Sequence, residues 1–113
     1  MTRMWCVPPQ LMCRQHLLGE HKEIHQLVGA MLKDRWGVVR GHAERGQIQT
    51  SIIKSRHAAL VREMLARGYN HASPLPDFPR TSIGRVDPDN SMRDLAQRCE
   101  RCRELITKKG TRR

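Results

Sequence analysis

Aromatic side chains are scarce in this chain: Trp5, Trp36, Tyr69 and Phe78 are all that 113 residues carry. A core cannot be built on so few, so it must rest on Leu, Ile, Val and Met. Long apolar runs are missing as well. None approaches the roughly 20 residues that cross a bilayer. The opening MTRMWCVPPQLMC has no continuous hydrophobic stretch and no evident cleavage site, so it does not read as a secretory signal. The expectation is a cytoplasmic protein, at the nucleoid or in a phage-infected cell, that is neither secreted nor membrane-bound. Cysteines there stay reduced, so disulfides among Cys6, Cys13, Cys99 and Cys102 are not expected. Acidic residues are also few, 11 against 21 Lys and Arg, for a net charge of +10. A small domain this basic ordinarily meets a polyanion, with nucleic acid the default and a membrane surface or an acidic protein the other classes. Internal repeats and low-complexity segments are absent, and strand patterns almost so.

What is present is helical periodicity. Leu17, Ile24, Leu27, Val28 and Met31 recur at three, four and seven, predicting a helix from about Pro9 to Arg35 with Gly37 as its stop. VVRGHAERGQIQ, punctuated by Gly41 and Gly46, reads as a connector. A second helix is predicted from a Thr50 or Ser51 cap to about Arg67, ended by Gly68. The stretch 72–90, with Pro74, Pro76, Pro79, Pro88 and Gly84, reads as an extended crossing. Asn90 or Ser91 then caps a third helix reaching about Lys109. The class is all-α, one compact domain over residues 1–107 followed by a basic flexible tail, KKGTRR, at 108–113.

Two features bear chemistry. Thr2 follows the initiator Met, and removal of Met1 would expose its α-amine. An α-amine has a pKa near 8, so about a tenth is neutral at pH 7, far more than for lysine. Such an amine is a ready Schiff-base nucleophile. On the first helix, at 100° per residue, His16, Glu20 and Glu23 fall within about 60° of one another and border the apolar face. Partial burial there tunes a carboxylate for acid–base work; a solvated helix flank is the plain alternative.

MTR at the start, QHLLGEHKEIHQLVGA at 15–30 and LVREMLARGYN at 60–70 together resemble the pyrimidine-dimer DNA glycosylase family, typified by phage endonuclease V. The resemblance implies an all-helical fold with the N-terminal segment threading between helices. It implies a DNA glycosylase with abasic-site lyase activity on double-stranded DNA, a monomer, needing neither metal nor cofactor. Thr2 and Glu23 would be catalytic: a Schiff base on the Thr2 α-amine excises a damaged base, pyrimidine dimers first among them, and β-elimination nicks the strand. Arg3 and His16 would line the DNA site, with Glu20 and Gln26 beside them; His21, Lys22 and His25, with Lys33, Arg35 and Arg40, are candidate phosphate contacts, a solvated basic face being the equal alternative. The type member has arginine at the positions of Lys22 and Gln26 and ends in an aromatic-rich segment, where this chain ends in KKGTRR. Those departures leave the lesion open, and keep open a catalytically weakened or inactive DNA-binding protein of the same fold.

The four cysteines raise a third reading, a zinc-stabilised interaction module. Cys99 and Cys102 form C-x-x-C, but inside a predicted helix, and Cys6 and Cys13 have no standard spacing, so small buried thiols are the simpler account. His21 and His25 stand four apart in H-K-E-I-H, which is not the H-E-x-x-H of metallohydrolases; they read as surface histidines near phosphates.

Overall fold

The chain is described from a computed structural model, over residues 3–70 and 73–110. Among these residues there are five α-helices and no strand. Helix α1 spans Arg14–Leu32 and buries Leu17, Ile24, Leu27, Val28 and Met31, the stripe read from the sequence. It starts later than expected: Pro9–Leu11 form a separate 3-10 turn, and Met12 and Cys13 are extended. It also ends earlier, at Leu32 rather than about Arg35, and the stop is Asp34 rather than Gly37. Asp34 adopts a left-handed φ of 57°. The Arg35 amide reaches back to the Ala30 carbonyl and the Asp34 amide to Met31, closing the last turn.

The expected connector is instead α2, Trp36–Glu44, anchored by buried Val39. Gly37 and Gly41 lie inside it and weaken its propensity, so burial of Val39 against the core holds it, not sequence preference. Its end repeats the α1 device, with Gly46 left-handed and the Gln47 amide on the His42 carbonyl. Helix α3, Ile53–Ala66, follows a 3-10 turn at Thr50–Ile52, with no side-chain cap from Thr50 or Ser51. Gly68, φ 84°, ends it as the sequence indicated.

The crossing segment docks on the turn before α3. The Thr50 hydroxyl accepts from the Ile83 amide (2.8 Å) and from the Thr81 hydroxyl (2.7 Å), and the Val86 amide donates to Gln49 (3.0 Å). Gly84 is required here: φ is 80°, and a Cβ would run into the Ile48 carbonyl and Ala43. Helix α4, Pro88–Arg98, is capped by Asp87, which accepts from the Asp89 and Asn90 amides, not by Asn90 or Ser91. The single third helix of the sequence reading is two. Cys99 is extended (φ −131°, ψ 115°) and separates α4 from α5, Glu100–Gly110. Helix α5 thus carries into the expected tail; residues 111–113 lie outside the described residues.

The N-terminal segment is core, not surface. Met4, Val7 and Met12 are fully buried and Trp5 nearly so. The Met4 amide bonds the Gln47 carbonyl at 2.7 Å. Arg56 of α3 donates to the Val7 carbonyl at 2.7 Å, and Arg67 to the Pro9 and Met12 carbonyls. The segment is therefore threaded between helices and pinned by two arginines of α3 and its end. No helix among the described residues is long and apolar enough to cross a membrane.

Candidate active site

Threading brings Arg3 and Trp5 to the side of α1 that carries His16, Glu20 and Glu23. Together with Gln15, Gly19 and Arg98 they line an open cleft of about 300 Å³. That size is at the lower end of small-molecule sites. The stripe predicted from helical periodicity therefore does border one cavity. Its members differ sharply in state.

Glu20 is fully buried, and both its oxygens are taken by Arg56 of α3. Nη2 donates to Oε1 at 2.8 Å and Nε to Oε2. Glu20 was grouped with residues contacting DNA; the bidentate pair makes it an internal strut instead. Glu23 is half-buried, and burial pushes its carboxyl above the usual glutamate range, while the Arg3 backbone amide and charge pull it back down. One turn of one helix thus holds a carboxylate with its lone pairs used and a carboxylate aimed at a cleft.

Arg3 stacks over the Trp5 ring, 3.8 Å from its centroid, and pairs with Asp94 of α4 at 2.9 Å. Its Nε is buried with no hydrogen-bond partner among the described residues. Asp94 also holds Arg98 at 3.0 Å, so one carboxylate arrays two guanidinium groups along the rim. His16 lies edge-on to Trp5, ring centroids 5.8 Å apart, and burial lowers its pKa below the ordinary imidazole value. Arg98 was not found from the sequence. A basic residue in the last turn of a helix usually complements the helix dipole, and nothing local ties it to Arg3.

The other residues named for DNA do not join this cleft. His21, Lys22 and His25, with Leu18 and Ser73, line a separate cleft of about 410 Å³. His21 is buried, not a surface histidine, because α1 packs on α3 there. Its ring stacks on His57 at 5.0 Å and meets His25 at 4.8 Å. His25 and His57 both hydrogen-bond the Ser73 carbonyl, at 3.2 and 3.0 Å. Lys22 and Gln26 are exposed. Thr2, the expected nucleophile, lies outside the described residues.

Among the described residues, two groups bring metal-binding atoms within 4.8 Å of one another: His21, His25 and His57, and Cys13, His16, Cys99 and Cys102. Cys6 stands apart, its thiol pushed up to about 11, mainly by burial.

No curated protein and no solved structure matches the chain. Residues 1–77 match the family model described as pyrimidine dimer DNA glycosylase, a span that contains Arg3, Trp5, His16, Glu20 and Glu23 and ends before α4. With more than half its length matched, and with a half-buried glutamate set in a cleft beside Arg3 of the threaded N-terminal segment, the chain belongs to the pyrimidine dimer DNA glycosylase family.

Proposed function

We propose that this protein is a DNA glycosylase and abasic-site lyase for lesion-bearing double-stranded DNA, with the α-amine of Thr2 as nucleophile and Glu23 as the proton-transfer group. The observation that carries the reading is the Glu23 carboxyl, half-buried in a cleft whose other wall is Arg3, the residue covalently joined to Thr2. The substrate is a nucleotide flipped from the stack. Flipping costs a few kcal/mol and is easiest at a damaged pair; pyrimidine dimers are the first lesion to test.

The neutral amine of Thr2 attacks C1′ of the nucleotide, and the glycosidic bond breaks with its electron pair leaving on the base, which takes a proton from water. Glu23 takes the proton that the adduct nitrogen sheds and passes it to O4′ as the sugar ring opens to the protonated imine. Glu23 removes a proton from C2′, and the electron pair passes through the new C2′–C3′ double bond to expel the 3′ phosphate. Water then hydrolyses the imine and frees the amine. Arg3 and Arg98 supply positive charge for the flanking phosphates.

Borohydride trapping tests the reading. The mature protein, with Met1 removal checked by mass, is mixed with ultraviolet-irradiated or abasic duplex and reductant. A covalent adduct that disappears when the terminal amine is blocked is the expected result. DNA binding with no adduct on any lesion would instead establish the inactive DNA-binding protein that Lys22 and Gln26 suggest. Glu23→Gln is expected to keep duplex binding and to lose strand cleavage by at least about 10²-fold, the usual share of a positioned acid–base group.

A further inference from the structure

Cys13 is the N-cap of α1 and His16 its third residue; Cys99 immediately precedes α5 and Cys102 is its third residue. Two helices therefore start toward one point, each presenting the same pair of positions, C-x-x-H and C-x-x-C. The Cys13 sulfur makes no capping bond to its own helix. Cys13 Sγ stands 3.8 Å from Cys99 Sγ and 3.2 Å from His16 Nδ1, and Cys102 Sγ is 3.7 Å from the same nitrogen. The four ligand atoms all lie within 4.8 Å of one another. A tetrahedral zinc ion with Zn–S about 2.3 Å and Zn–N about 2.0 Å sets its ligands about 3.5–3.8 Å apart. A disulfide needs about 2.05 Å between sulfurs, and all four cysteines are free.

We infer that Cys13, His16, Cys99 and Cys102 form a structural zinc site joining the start of α1 to the start of α5. The donor set selects the ion: three soft thiolates and an imidazole in four-coordinate array suit zinc and exclude calcium or magnesium. The surroundings suit thiolates too. The Cys13 amide donates to Cys102 Sγ at 3.2 Å, and both helix N-termini carry partial positive charge. The four ligands leave no open position, so the ion is structural and takes no part in the glycosylase steps. Cys13 and His16 fall within the family-matched residues and Cys99 and Cys102 beyond them. The ion therefore clamps the C-terminal helices, which bring Arg98 and Asp94, onto the cleft. It also fixes His16 through Nδ1, leaving Nε2 to carry the ring hydrogen beside Trp5.

The experiment is metal analysis of the full chain purified under reducing conditions, with cobalt(II) replacing zinc as the spectroscopic probe. One zinc per chain is expected, and cobalt should give thiolate charge-transfer and intense tetrahedral bands. Cys102→Ser is expected to bring zinc to background, while Cys6→Ser keeps the full equivalent. His16→Cys is expected to retain zinc and strengthen the charge-transfer band, a gain that loss of folding cannot imitate. Zinc well below one equivalent after reconstitution overturns the site. So does an intramolecular disulfide in the reduced preparation, or zinc that survives Cys102→Ser but is lost in His57→Ala. None of these readouts requires DNA or an intact Thr2.

Discussion

Glu20 and Glu23 sit one helical turn apart with opposite assignments, and each yields a prediction. Glu20 offsets the buried Arg56 charge, and Arg56 in turn holds the Val7 carbonyl. Glu20→Gln leaves that guanidinium uncompensated, a loss of about 3–5 kcal/mol, to be read by urea unfolding. Glu23 has the reverse sign. Burial raises its carboxyl, so the folded state disfavours the ionised form, and its contribution to stability is present at low pH and lost as pH rises through the raised value. Glu23→Gln should therefore melt above the wild type at pH 8, with the gap closing below the usual glutamate range. The groups facing Glu23 in the cleft are Arg3, His16, Glu20 and Arg98. If Glu23 takes the C2′ proton as carboxylate, the acid limb of kcat/KM lies above the pH of an ordinary glutamate, and a pH–rate profile places it. The shared face of His16, Glu20 and Glu23 follows from helical spacing along α1, whereas Arg3 entered only with the family resemblance and reaches the cleft through the threading of the N-terminal segment. Glu20 was misread because Arg56, the partner that consumes it, lies 36 residues away.

At the scale of elements, three helices end in the same way, and the residue at the left-handed position decides how visible the end was. Gly46 and Gly68 carry that conformation in α2 and α3, and glycine announces itself. Asp34 carries it in α1 and does not. Its left-handed φ is unfavourable for a side chain, and its charge opposes the negative end of the helix dipole. Asp34→Gly is expected to stabilise the protein by about 0.5–1 kcal/mol, a rise of a few degrees by calorimetry. Gly84 is the converse case: Gly84→Ala puts a methyl against the Ile48 carbonyl at a positive φ and should lose about 2 kcal/mol or more. Helix α2 and the break at Cys99 were hidden because tertiary contacts create them. Val39 gives α2 its anchor, and nothing in RDLAQRCERCRELI is a helix breaker.

For the whole molecule, 21 basic residues give DNA affinity a steep salt dependence, with log K falling by about 0.9 per neutralised phosphate for each tenfold rise in salt. Arg98→Ala should weaken binding across sequences and reduce that slope by about 1, measured by titration at several salt concentrations. All-helical class and basic function were readable from composition and periodicity; the joining of α4 to the cleft was not, since it rests on the Arg3–Asp94 contact between distant segments. The threaded N-terminal segment has a kinetic consequence. Val7 is closed over by Arg56, 49 residues on, and Cys13 by Cys102, 89 residues on. During synthesis the stretch from Met4 to Met12 leaves the ribosome long before anything exists to cover it. It travels as an apolar tether until Gln47, Arg56 and Arg67, the residues that pin it, have emerged. Closing loops of that length makes docking of this segment slower than formation of the helices themselves, so the cleft is completed after the helices that frame it.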